Sequence, residues 1–267
     1  MDIGLIIAFL VLGAATGFAA GLLGIGGGML MVPFITFLLV FKNFPEELVV
    51  HMAIATSLAT IMFTSISSVR AHHKRGAVSW QIVKLLAPGI LIGSFIGPWI
   101  GKQMNSSALA LFFGIFVAVS ATQMLFDKKP AGAREMPKGL GLFAAGGGIG
   151  ILSGLVGAGG GFISVPFMTW CNVKIHNAVA TSAALGFPIA VAGTLSNIYF
   201  GMGTPGLPPG SLGFIYLPAL VVIAITSVLT APLGAKTAHS MPVKSLKRAF
   251  ALMLYLLAAY MLYKGFR

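Results

Sequence analysis

Charge, carboxylates and cysteine are what this sequence has least of. Only 8% of its 267 residues are charged, against roughly 25% in ordinary soluble domains, so a water-exposed globular chain is excluded. Five residues are acidic: Asp2, Glu46, Glu47, Asp127 and Glu135. Each lies at the end of an apolar run or between runs, and no apolar span has a central carboxylate. Buried carboxylates hold cations, relay protons and supply the acid or base of intramembrane enzymes. Their absence argues against a cation pump, a metal site and hydrolysis, and an anion would meet no interior negative charge. The single cysteine, Cys171, rules out a disulfide framework and reads as a packing residue. Cofactor-loop spacings are missing too. Gly24-x-Gly26 meets Met29 where a dinucleotide fingerprint needs a third glycine, and neither glycine run is followed by Lys-Ser/Thr. No cofactor is expected.

What the chain does have is apolar length. With 57% hydrophobic residues and about 20 helical residues per bilayer crossing, it allows about eight to ten membrane segments. The net charge of +12 could suggest a nucleic-acid partner, but the 17 basic residues are scattered through short connections between apolar runs. They read as topology signals, and no nucleic acid is expected. The start, Met1-Asp2-Ile3, lacks the basic region of a signal peptide.

The chain is one unit written twice. Residues 17–34, GFAAGLLGIGGGMLMVPF, align without gaps to 150–167, GILSGLVGAGGGFISVPF, with ten identities in eighteen positions. His51-Met-Ala-Ile-Ala-Thr-Ser57 then matches His176-Asn-Ala-Val-Ala-Thr-Ser182 in five of seven. A copy in mid-chain argues that the first is not a discarded leader. Pro88 pairs with Pro218, and Pro98-x-x-x-Lys102 with Pro232-x-x-x-Lys236. The halves are 1–126 and 139–267, joined by the polar linker 127–138. Each opens with a long glycine-broken segment (3–41 and 139–171). Ordinary spans follow at 46–69, 82–101 and 107–126, then at 176–200, 213–235 and 247–264.

Charge decides whether the broken segments cross or fold back. If they fold back, one side gathers Arg70, Lys74, Arg75, Lys128, Lys129, Arg134, Lys138, Lys174, Lys236, Lys244, Lys247 and Arg248. That is twelve cations, leaving five elsewhere: Lys42, Lys84, Lys102, Lys264 and Arg267. Single crossings would divide them about evenly. The positive-inside rule therefore predicts fold-back, both termini outside and two halves of opposite orientation, an inverted repeat. The expected fold is an all-α polytopic membrane protein with about eight transmembrane segments and glycine-broken or re-entrant half-helices.

Gly24-Ile-Gly-Gly-Gly28 and Gly157-Ala-Gly-Gly-Gly161 interrupt apolar runs at matching places. Such a break survives at membrane depth only where backbone faces protein or a wet cavity. Two readings stand: close packing through small residues, or half-helices over 29–41 and 162–171 whose N-terminal N–H groups face an anion at the break. Thr56-Ser57 and Thr181-Ser182 supply paired hydroxyls that can donate to an oxyanion, or else bond back to their own helix. His51 and His176 open the same repeated motif and could carry a coupling proton, with capping or packing as the alternative. His72, His73 and His239 read as solvated loop residues. Trp80, Trp99 and Trp170, all near segment ends, read as interfacial anchors.

The doubled pattern, GLLGIGGGMLMVPF with HMAIATS and GLVGAGGGFISVPF with HNAVATS, resembles the TauE/SafE family of membrane transporters over essentially the whole chain. That resemblance implies a multi-pass carrier of the bacterial inner membrane whose relatives move sulfite, sulfonates such as sulfoacetate and related organosulfur anions. By position, the family signature falls on Gly24, Gly26, Gly27, Gly28, Pro33, Ala55, Thr56 and Ser57. In the second half it falls on Gly157, Gly159, Gly160, Gly161, Pro166, Ala180, Thr181 and Ser182. One departure is that Asn177 and Asn197 have no amide counterpart at Met52 or in 64–69, so the halves contribute unequally.

The expectation is a secondary transporter of a small anion, sulfite or an organosulfonate, working by alternating access within the lipid bilayer. Substrate would meet Gly26, Gly27, Gly28, Thr56, Ser57, Gly159, Gly160, Gly161, Thr181, Ser182, Asn177 and Asn197. The coupling ion would be a proton, through His51 or His176, or sodium held by backbone carbonyls. A passive anion channel and a carrier of small carboxylates are the rival readings.

Overall fold

The computed structural model describes residues 3–23, 27–126, 135–238 and 243–266. Gly24 and Gly26 lie outside them, as do Asp2, Asp127, Lys128, Lys129, Arg134, His239 and Arg267. Ten helices follow in order: α1 (Ile3–Leu23), α2 (Gly28–Phe41), α3 (Glu46–His73), α4 (Trp80–Gln103), α5 (Ser106–Phe126), α6 (Leu140–Val156), α7 (Gly161–Trp170), α8 (Ile175–Gly201), α9 (Leu217–Ala238) and α10 (Val243–Phe266). Before α9 stands a two-strand hairpin, β1 (Ser211–Leu212) and β2 (Ile215–Tyr216). Sequence patterning does not anticipate it; the apolar run from 213 begins as strand because Gly210 and Gly213 turn the chain through positive φ. The fold is all-α, and six of its helices are long and apolar enough to cross a membrane. Two others, α2 and α7, have only 14 and 10 residues.

α3 and α8 form the centre. Of their apolar windows 83% and 72% are buried, against 28–44% for the other four long helices. This explains their hydroxyl content: Thr56, Ser57, Thr60, Thr64, Ser65 and Ser68 of α3 are all buried, and all but Ser68 find partners inside the bundle. Thr60 donates back to the Thr56 carbonyl at 2.8 Å, and Thr64 meets Ser227 of α9 at 2.7 Å.

Glycine seams bind the outer helices to one another around this centre. Gly13, Gly17 and Gly21, one per turn of α1, lie against the α9 backbone at Ile223, Ser227 and Ala231. Gly89, Gly93 and Gly97 of α4 lie likewise against Phe143, Gly147 and Ile151 of α6. With no side chain in the seam, backbones approach closely and dispersion replaces the missing hydrophobic drive. The two seams are counterparts, because exchanging the halves turns the α1/α9 pair into the α6/α4 pair.

The same contacts fix direction. Both seams are parallel, whereas α3 and α8 are antiparallel, with Leu58 against Gly193 and Ser65 near Gly186. His72 at the end of α3 bonds the Gly21 carbonyl near the end of α1 at 3.0 Å, so α1 and α3 run the same way. Between them the chain must return, and α2 is that return. Its capping residue Gly27 packs against the Thr16 carbonyl, level with the middle of α1. α7 repeats this, starting with Gly160 against Ile149 and Ser153 of α6. Both glycine-broken segments fold back. α5 and α10 complete the set as an antiparallel pair, Gly114 against Leu262 and Gly265 against Leu111.

These directions collect the end of α3, the start of α4, the start of α8 and the end of α9 at one end of the bundle. Arg70, Lys74, Arg75, Lys138, Lys174 and Lys236 lie there, where α10 also begins. Lys84 sits one turn into α4 and so belongs with this basic end rather than with the cations opposite. At the other end Lys264 approaches Glu46 at 3.9 Å. Trp80 and Trp99 near the ends of α4 and Trp170 at the end of α7 are all exposed.

Candidate substrate site

The midpoint of the bundle is where the half-helices start. The α3/α8 register, read with the 125-residue offset of the repeated motif, centres the pair near Phe63 and Pro188. Gly160 contacts Ile189 at that centre. Gly27 and Gly160 cap α2 and α7 from the left-handed region, with φ of 72° and 75°, which costs other L-residues about 1–2 kcal/mol. Glycine at both positions therefore follows from backbone conformation. Each half-helix leaves its first N–H groups without carbonyls one turn earlier and presents about half a positive charge. No cationic side chain is needed to make these ends attractive to an anion.

The two breaks touch each other. Gly28, the first residue of α2, packs on the Gly157 carbonyl and Ala158. Ser57 donates to the same Gly157 carbonyl at 2.7 Å, joining the first half to the turn of the second. In the second half Ser164 of α7 donates to Ser182 at 2.8 Å. Thr56 and Thr181 hold helix starts. The Tyr216 N–H donates to Thr56 just before α9, and the Ser79 N–H donates to Thr181 just before α4, both at 3.0 Å. This pairing is symmetric under exchange of the halves.

The predicted residues do not all converge. Thr56-Ser57 and Thr181-Ser182 flank the centre on opposite sides, each pair about 9 Å along its helix from the midpoint. Asn177 lies in the first turn of α8, and His176 is exposed beside it at the basic end. Asn197 lies some fifteen residues beyond Ser182, about 22 Å along α8, where its amide bonds the Gly193 carbonyl at 2.8 Å. His51 is at the far end, its Nε2 near the carbonyls of Gly101 (3.1 Å) and Met104 (3.2 Å) and its ring over Phe214. There it borders a cavity of about 580 Å3 with Glu46, Glu47, Lys102 and Lys264. The two histidines thus lie at opposite ends of the molecule, away from the glycine breaks.

A small cavity at the interface of the halves, bordered by three serines, brings in residues that sequence reasoning missed. It measures about 10 Å3 and is lined by Ser65, Ser68, Ser182, Gly159, Gly186 and Ala20, room for about one water. The Ser68 hydroxyl is buried without a partner, and so is that of Ser153 near Gly160. On the opposite side of the midpoint Leu58 fills the equivalent space against Gly193. The missed signal was periodic: Thr56, Thr60, Thr64, Ser68 and His72 recur every fourth residue, a polar stripe along one apolar helix.

Comparison with known proteins bears on the family. The family model described as "Sulfite exporter TauE/SafE" matches residues 9–261. A "Probable membrane transporter protein" of Haemophilus influenzae is 40% identical over 256 residues, 96% of this chain and 97% of its own length. A "Probable membrane transporter protein YunE" of Bacillus subtilis is 28% identical over 96% of both chains. One from Methanocaldococcus jannaschii is 27% identical over 95% of this chain and 94% of its own. No solved structure matches the chain.

Proposed function

Because the chain belongs to the TauE/SafE sulfite exporter family, we propose that it is a secondary carrier of a small oxyanion, with sulfite or an organosulfonate such as sulfoacetate as cargo. One observation carries the reading: two half-helices, each capped by a left-handed glycine, start at mid-depth where the glycine breaks of the two halves meet. Their N–H groups suit an oxyanion, and Ser65, Ser68, Ser153 and Ser182 add hydroxyls that can turn to donate. The cavity is too small for sulfite, so binding requires α3 and α8 to part. That requirement suits a carrier better than an open channel. Parting has a natural line, since α3 meets α8 through small residues while the glycine seams lock the outer pairs.

The same reading places the halves in the bacterial inner membrane as an inverted repeat, with the basic end in the cytoplasm. Antiparallel α3 and α8, and the cations gathered at one end, support it. Cysteines introduced at 70–81 and at 201–212 should label from opposite faces of intact membranes; labelling from one face would sink the orientation. For cargo, proteoliposomes offered sulfite, sulfoacetate, sulfate and acetate in parallel should take up the first two at least tenfold faster than acetate. Uptake of cations alone would refute the assignment. Coupling is proposed to run through a proton or sodium ion. His176 is exposed at one end and His51 lies at the other, so any part they play in coupling is at the mouths, without contact to cargo.

A further inference from the structure

Away from the central cavity, the basic end carries a groove between the last turns of α3 and α9, about 760 Å3 in volume. Its mouth holds Arg70, Lys74, Arg75 and Lys236, and its walls are apolar, including Phe63 and Leu233. These wall residues are 42% and 57% exposed on the perimeter, where a membrane-spanning bundle meets lipid tails. Among the described residues no carboxylate pairs with any of the four cations. The floor is firm. Pro232 has no N–H to offer the Val228 carbonyl one turn back, and Ser67 supplies the missing donor across the groove at 2.8 Å. Arg75 reaches the Ala235 carbonyl at 2.6 Å, tying the mouth of α3 to α9.

Charge here is not inherited from the repeat. At the positions in α8 equivalent to Arg70, Lys74 and Arg75 the second half has Leu195, Tyr199 and Phe200. The groove also uses a face of α3 different from that of Ser65 and Ser68, so it is separate from the central cavity. Four cations without a carboxylate partner among the described residues, above an apolar wall, match one chemistry: a phosphate diester carrying acyl chains. We propose that this groove is a binding site for an anionic phospholipid, the headgroup phosphate held by Arg70, Lys74 and Lys236, the upper acyl carbons lying against Leu233 and deeper ones against Phe63. Juxtamembrane cations attract such lipids with a strength worth about fivefold in affinity each.

The test uses the full-length protein in nanodiscs and detergent, with phosphatidylglycerol and phosphatidylcholine of identical chains as probes. Native mass spectrometry should show phosphatidylglycerol retained in preference, and only that lipid should raise the thermal midpoint of the wild type. Arg70→Gln/Lys74→Gln/Lys236→Gln should lower the affinity for phosphatidylglycerol about a hundredfold, and the milder Lys74→Gln/Lys236→Gln about thirtyfold. Equal retention of both lipids, or undiminished retention by both variants, would overturn the proposal. So would displacement of the lipid by millimolar inorganic phosphate, which would make the groove a site for free anions.

Discussion

Alanine at Gly27 is expected to abolish substrate binding and transport while the protein still inserts and folds. The added Cβ meets two obstacles. The capping backbone has φ of 72°, costing an L-residue about 1–2 kcal/mol, and the new carbon would fall 2.6 Å from the Thr16 carbonyl oxygen. Neither α1 backbone nor the start of α2 can yield without shifting the N–H groups proposed to hold the anion. Gly160→Ala carries the same conformational cost, but its Cβ would meet the Cδ1 tip of Ile189, which can rotate away. Binding should therefore weaken about tenfold in Gly160→Ala and fall below detection in Gly27→Ala. Gly148, helical and facing open space, is the control; Gly148→Ala should bind normally. If all three variants bind equally well, the glycines serve packing and the anion site lies elsewhere.

Ser57→Ala and Ser182→Ala should separate two roles that the repeat makes look identical. Ser57 donates to the buried Gly157 carbonyl, and removing that donor leaves an acceptor stranded between the halves at a cost of about 1–3 kcal/mol. Its thermal midpoint in detergent should drop by several degrees, with slower transport as a consequence. Ser182 lines the central cavity and accepts from Ser164, whose hydroxyl can turn to a carbonyl of its own helix. Ser182→Ala should keep most of its stability and lose affinity for the anion by about tenfold to a hundredfold, the worth of one charge-assisted hydrogen bond. Midpoints that fall equally in both variants, with affinity untouched, would assign both serines to packing.

Fold-back and the basic end were legible because each depends on a signal local in sequence. Consecutive glycines cannot continue a helix cheaply, and cation placement reports which connections share a side. The site was legible only in part, for a geometric reason. Equivalent residues of antiparallel α3 and α8 coincide only near the midpoint of the pair, so matching motifs mark corresponding places without bringing them together. Gly28 and Gly157 lie near that midpoint and meet across the halves. His51 and His176 open the same motif five residues before Thr56 and Thr181, and antiparallel α3 and α8 carry them to opposite ends. Asn197 was chosen for its amide alone, which the structure spends on Gly193. Ser65, Ser68 and Ser153 have no matching hydroxyl in the other repeat, since their counterparts are Ala190, Gly193 and Ala20, so a search for duplicated residues passes over them. Their burial shows only once α1, α3 and α8 are placed around them.

Uphill flux tests the central claim most directly. Proteoliposomes holding purified protein should accumulate radiolabelled sulfite or sulfoacetate above its external concentration when a proton or a sodium gradient is imposed. Accumulation should vanish with Gly27→Ala and on collapse of the effective gradient. Equilibration that never exceeds the external concentration under either gradient would contradict a coupled carrier and leave a passive anion path, and accumulation that survives in Gly27→Ala would remove the half-helix starts from the mechanism.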